Sequence, residues 1–168
     1  MGLFFSKHNF FPFIALVLVS VISALPVYAE GPSASNVLVK VRAIRAAHPI
    51  SENEKDIRIK VDPRLADIRE NLRSFDFRSF RMVSNQEKSV PLRKKDSMYL
   101  TERTVLNFRP VYSEDERVGI WIKWTDLESS QVLLDTRMHF NSSENMLTGT
   151  NCRNNRALIL AISAKPDR

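Results

Sequence analysis

The residues best suited to chemistry lie in four places. The first is Arg73-Ser74-Phe75-Asp76-Phe77-Arg78-Ser79-Phe80-Arg81, where three arginines interleave with three phenylalanines. Guanidinium groups beside aromatic rings can stack planar ligands or grip anions. A strand that sinks its phenylalanines into a core and leaves its arginines in water produces the same pattern without a ligand, and period-2 alternation favours that account. The second is the basic run Arg93-Lys94-Lys95, with Lys88 and Arg103 nearby. If this run shares a face with the arginine-rich stretch, Arg73, Arg78, Arg81, Arg93, Lys94 and Lys95 make an anion-binding patch that holds phosphate or carboxylate through charge-assisted hydrogen bonds. Asp96 and Glu102 neutralise part of that charge.

The third place is Trp121 and Trp124, three residues apart in one strand-like run, so alternation sends them to opposite faces. One is then core. The other, Trp121, is a candidate anchor for a protein partner or a sugar ring unless both sheet faces are buried. The fourth is Asp135, Arg137 and His139, which share one face of a strand and are joined in principle by the sole cysteine, Cys152. A thiol enzyme needs a base within reach and an oxyanion site on a helix N-terminus or a glycine-rich turn, and nothing in the sequence marks either. There is no phosphate loop, dinucleotide fingerprint or nucleophile elbow, and no pair of His, Cys or carboxylates has metal-ligand spacing. The expectation is a non-catalytic protein with no metal and no cofactor.

The elements that position these residues are mostly strands. Val37, Val39, Val41 and Ala43 alternate with largely charged neighbours, giving a first half-buried strand. Ile57-Arg58-Ile59-Lys60-Val61 alternates again, as a short strand or an extended lead into a helix. Asp62 then supplies a capping side chain and Pro63 a first-turn proline, with Leu65, Ile68 and Leu72 on one stripe. That amphipathic helix must lie against a sheet. Eight strand-like runs follow, at 77–84, 90–92, 98–100, 105–112, 118–125, 132–140, 146–150 and 158–164, separated by polar turns. These predict a mostly β (α+β) fold, an antiparallel β-sandwich or twisted sheet covered by one short helix. With only Gly119 and Gly149 in this half and no Asn-Gly pair, loops of three to six residues are expected.

The N-terminal end predicts export. Lys7 precedes an apolar run from Phe10 to Leu25, and Val27 and Ala29 sit at −3 and −1 of a signal-peptidase site. The apolar core is shorter than the ~20 residues a spanning helix needs, so a signal peptide at 1–29, a flexible lead-in at 30–36 and one β-rich domain at 37–168 are expected, with no transmembrane segment after cleavage. Removing 29 of the 168 residues leaves 139, enough for one core. The 25 Lys and Arg less Lys7, against 19 Asp and Glu, leave a balance of +5. A modestly basic exported domain meets acidic glycans, lipid head groups and acidic protein faces rather than nucleic acid. One cysteine permits no intramolecular disulfide, so packing alone must hold the fold. Asn141-Ser142-Ser143 matches a glycosylation acceptor, relevant only in a eukaryotic source.

The run Val61-Asp62-Pro63 through Leu72, Phe75 and Phe77 to Phe80, closing on Leu158-Ile159-Leu160-Ala161-Ile162, resembles small exported bacterial proteins of uncharacterised families built as a strand, a helix and an antiparallel meander. The resemblance rests on apolar positions and implies no activity. The functional expectation is a periplasmic or extracellular domain that binds another envelope protein by a strand edge or the surface near Trp121, with an anionic glycan or lipid head group as the alternative ligand. Cleavage after Ala29 is checked by the mass of the exported chain, whose first residue should be Glu30; a chain retaining residues 1–29 would overturn it.

Overall fold

β1, Asn36–Ala47, is buried on both faces. Val37, Val39, Val41 and Ala43 point one way, and Arg42, Ile44 and Ala46 the other, all within the protein interior. A strand with two apolar faces belongs at the centre of a sheet covered on both sides, and β1 lies between β3, Ser79–Pro91, and β9, Arg156–Asp167. β2, Lys60–Val61, and β8, Met146–Gly149, complete this first sheet in the order β2-β3-β1-β9-β8. The second sheet is β4-β5-β6-β7: Asp96–Thr101, Thr104–Glu114, Arg117–Asp126 and Val132–Asn141. The computed structural model describes residues 36–48, 59–142, 144–150 and 155–167, so the expected signal peptide, Cys152 and most of the expected lead-in lie outside the described residues.

The two sheets enclose the main core, where Val37, Val39 and Val41 meet Met98, Leu106, Phe108, Ile120, Ile122, Trp124 and Phe140. A second core lies on the outer face of the first sheet. There Ile44, Ala46, Phe80, Met82 and Ile159 are covered by Leu65, Ile68 and Leu72. These three come from a 3-10 segment, Pro63–Ile68, that runs into one α-helical turn, α1, Arg69–Leu72. The Asp62 carboxylate accepts from the Arg64 N–H and Pro63 opens the first turn, as the sequence predicts, but the stripe is laid down by a 3-10 turn kinked at Leu65 (φ −110°, ψ 15°) rather than by a continuous α-helix. Arg42 fastens the segment down: its guanidinium donates to Asp67 Oδ1 at 2.7 Å and to Asn145 Oδ1 at 3.2 Å, tying the helical segment and the β7–β8 connection to the central strand.

The mostly β sandwich with one short helical cover is the architecture read from the sequence; its details differ in three ways. Residues 79–91 form one strand instead of two, with no turn at Ser84-Asn85-Gln86. A bulge there, where Ala43 pairs with Ser84 and Ile44 with Met82, absorbs Val83 and lets the polar stretch continue along β1. β2 pairs parallel with β3, while every other pairing among the described residues is antiparallel. Two hairpins are tighter than expected: Thr101 pairs with Thr104 and Glu114 with Arg117, leaving two-residue loops. Asp115 serves in place of glycine at φ 49°, a conformation that Asp tolerates better than most side chains.

The two sheets are also stitched along one side. Gln86 Nε2 donates to the Tyr99 carbonyl at 2.5 Å, and Lys88 Nζ to the Ser97 carbonyl at 2.7 Å and Asp96 Oδ1 at 2.8 Å. Side chains of β3 thereby occupy carbonyls on the outer edge of β4. At the opposite edge of the second sheet, among the described residues, β7 pairs only with β6.

Leu65→Ala should cost about 2–4 kcal/mol by opening a cavity under the helical segment, while Tyr99→Ala, at a position 67% exposed, should stay within about 0.5 kcal/mol; urea unfolding checks both, and equal effects would refute the second core. Hydrogen bonds from Arg64, Arg42 and Lys88 and from the Ser129 and Glu128 amides hold Asp62, Asp67, Asp96 and Asp126, in that order, below the usual carboxylate range. Because these folded-state values are depressed, their contribution is fully present above the unfolded value near 4 and is lost as pH falls through the folded values. The urea midpoint should hold from pH 7 to about 5 and fall steadily below pH 4; a midpoint unchanged at pH 2.5 would contradict this.

Candidate binding face

Trp121 lies on the outer face of the second sheet, and Trp124 is buried in the main core with 1% exposure. Alternation along β6 separates the two indoles as the sequence predicts, and only Trp121 is available to a partner. Its ring is held in place. Lys95 Nζ lies 5.6 Å and the Arg109 guanidinium carbon 5.9 Å from the ring centroid, and Nε1 donates to Asp135 Oδ1 at 2.8 Å. Arg109 on β5 and Arg137 on β7 are the register partners of Trp121 on either side, and Lys123 pairs across from Asp135. Cations over a ring face contribute on the order of 0.5–1 kcal/mol each at exposed sites, enough to favour one ring orientation.

A second aromatic pair adjoins it. Tyr112 stacks on His139 with centroids 5.8 Å apart, and the Tyr112 hydroxyl shares a 2.8 Å hydrogen bond with His139 Nδ1. Tyr112 reaches this face through a bulge. Phe108 and Pro110 pair with Ile122 and Ile120 toward the core; the register then skips Val111, so Tyr112 pairs with Gly119 and Ser113 with Val118. The extra residue turns Tyr112 outward and Ser113 inward. Gly119 makes room: a Cβ there would lie 2.2 Å from Tyr112 Cε1. The ring lies against bare backbone, and its hydroxyl reaches across to β7.

The arrangement gives two of the grouped Asp135, Arg137 and His139 a neighbour on the platform. They do share a face, but Asp135 is engaged by the Trp121 indole and His139 by the Tyr112 hydroxyl. The described geometry builds an aromatic platform flanked by cations, with Lys95, Arg109, Lys123 and Arg137 around Trp121 and the Asp135 carboxylate. Among the described residues no group of three or more His, Cys, Asp and Glu is gathered for a metal, and no helix is long and apolar enough to cross a membrane.

The six residues of the expected anion patch are divided. Arg73 ends the helical segment and pairs with Glu70 at 2.6 Å; Arg78 and Arg81 lie at the start of β3, while Arg93, Lys94 and Lys95 follow its end. A 13-residue strand separates the two groups by roughly 40 Å, so they do not form one patch, and only Lys95 joins the platform. Phe80 is buried, and Phe75 and Phe77 are half-buried against the second core, which accounts for the interleaved pattern by alternation and packing. Tyr112, Arg109 and Gly119 are platform residues that the spacing of types in the sequence does not single out. Gly119 carries the one available signal, because an isolated glycine inside a strand marks a close approach to its backbone.

Gly119→Ala should destabilise by about 1–3 kcal/mol through the clash with Tyr112, and Tyr112→Ala in the same chain should recover at least half of that loss. A double-mutant cycle on urea stability checks this; strictly additive effects would show that the two residues do not meet. No protein-family model, no curated protein and no solved structure matches the chain.

Proposed function

We propose that the chain is an exported, non-catalytic binding domain that engages another protein of the cell envelope through the outer face of its second sheet and the adjoining β7 edge. The observation that carries this reading is Trp121, fixed between Lys95 and Arg109 and anchored to Asp135 on a solvent-facing sheet. Tryptophan, tyrosine and arginine dominate the energetics of protein interfaces, because they bury large areas while losing little side-chain freedom. Here the freedom is already lost in the unbound protein, which lowers the cost of association.

The neighbouring edge supplies a second mode of contact. β7 runs for ten residues, from Val132 to Asn141, and among the described residues it has β6 on one side only. An extended segment of a partner can add there by backbone hydrogen bonds. It would carry its side chains past Arg137 and His139 toward Trp121. The excess of Lys95, Arg109, Lys123 and Arg137 over Asp135 favours an acidic segment, whose approach such a field accelerates. Contacts of backbone and indole resist salt, whereas attraction between exposed charges is screened over about 8 Å at physiological ionic strength.

Crosslinking the exported chain in its native envelope should give a discrete protein adduct that persists after washing at high salt. Trp121→Ala should cut its yield at least tenfold, in keeping with a hot-spot loss of about 2 kcal/mol, without lowering the melting temperature to the same degree as Leu65→Ala. Release at moderate salt with no protein adduct, or an adduct indifferent to Trp121→Ala, would overturn the proposal.

A further inference from the structure

At one end of the sandwich the sheets part and leave a cleft of about 820 Å³. It opens where β1 ends and β9 begins, opposite the β4–β5 and β6–β7 loops. Val83, Leu100, Leu133 and Leu158 line its inner part and pack against the main core. Arg45 and Arg156 stand at its rim. Arg81, the register partner of Arg45 across β1 and β3, flanks them. Pairing also places all three on the face of the first sheet that looks toward the second: Arg45 is two residues beyond Ala43, and Arg156 two before Leu158.

Two like charges directly opposite each other on neighbouring strands are unfavourable. Among the described residues no carboxylate pairs with Arg45, Arg81 or Arg156. The other charges at the mouth are differently engaged. Arg103 pairs with Glu128 at 2.8 Å, and the Asp126 carboxylate accepts from the Glu128 and Ser129 amides, so the acids of the lining, Glu102 and Asp126, both lie on the second-sheet side, across from Arg45 and Arg156. The cleft therefore combines a cationic rim on the side of the first sheet with an apolar interior that continues into the core. Its volume falls in the range of small-molecule sites, ~300–1,000 Å³.

We infer that this cleft is a second binding site, separate from the Trp121 face, that takes an amphiphilic anion: a carboxylate or phosphate head on Arg45 and Arg156, and an alkyl chain between the sheets against Leu100, Leu133 and Leu158. Guanidinium groups match both head groups by paired N–H donors. Burial of the chain supplies affinity that a free anion at an exposed rim would lack. The head and the tail make separate demands, so each can be tested apart from the other.

The test is calorimetric titration of the purified exported chain with dodecyl phosphate and with dodecanoate, both below their micellar concentrations, beside inorganic phosphate and the uncharged dodecyl maltoside. At least one of the two anionic amphiphiles should saturate a single site, and which of them binds more tightly identifies the head group. Inorganic phosphate and dodecyl maltoside should each bind at least tenfold more weakly. Arg45→Gln with Arg156→Gln should weaken the amphiphile at least tenfold, and Leu133→Asn at least fivefold. Lys94→Gln with Arg117→Gln, the same charge change at the opposite end of the sandwich, should alter it less than twofold. Melting curves confirm that each variant is folded, and Arg45→Gln alone replaces the double variant if that one is not. No saturable binding of either anion, equal binding of the neutral amphiphile, or equal loss in the two charge-matched variants would overturn the inference.

Discussion

Burial of β1 on both faces is the constraint on which this molecule depends. One strand supplies Val37, Val39, Val41 and Ala43 to the space between the sheets and Ile44 and Ala46 to the space beneath the helical segment. Neither core can form unless β1 is central and paired on both sides, by β3 and β9. These partners come from distant parts of the chain, so the first sheet closes only when the C-terminal strand arrives. The buried charge of β1, Arg42, lies on the face covered by the helical segment, and its bonds to Asp67 and Asn145 make the helical cover and the β7–β8 connection depend on the same strand. A buried guanidinium without those partners would be costly, so the two bonds also specify where the cover sits.

The second sheet is fixed differently. β4, β5, β6 and β7 follow one another through hairpins, and their pairing is local. Its two edges are treated unequally: on β4 the carbonyls of Ser97 and Tyr99 are occupied by Lys88 and Gln86, while among the described residues β7 has no strand beyond it. Exposed edges invite pairing with other chains, and proteins commonly blunt them. A protein that closes one edge with side chains and leaves the other beside a preorganised tryptophan has a directional surface. The adjoining Tyr112 and His139 extend it along the strands, above the bare backbone of Gly119.

Basic charge is spread over two surfaces with different surroundings. Lys95, Arg109, Lys123 and Arg137 surround aromatic rings on a flat sheet, where cations serve orientation and long-range attraction. Arg45 and Arg156 stand instead at the exposed rim of an opening with apolar walls, with Arg81 on the strand beside Arg45. A single summed charge conceals that division, and the modest net balance of the chain gives no hint of it.

Alternation along the chain by itself determined the strand faces: the inward set of β1, the opposite fates of Trp121 and Trp124, and the burial of Phe80 beside exposed Arg78 and Arg81 are legible in residue order alone, as are the Asp62-Pro63 start of the helical segment and the Leu65, Ile68 and Leu72 stripe. These follow from local geometry, since side-chain direction repeats every two residues in a strand and a cap acts within one turn. Register, bulges and the distance between chain segments were decided only by tertiary structure. The sequence offers no sign that Val111 is skipped, yet that skip carries Tyr112 from the core side to the outer face. Nor does it reveal that residues 79–91 form one strand, whose length parts Arg78 and Arg81 from Arg93 and Lys94, or that Arg45 and Arg156 meet at one mouth. Each of these depends on which strands pair and in what register, and that choice is made by the burial of whole faces against one another, an energy no single segment contains.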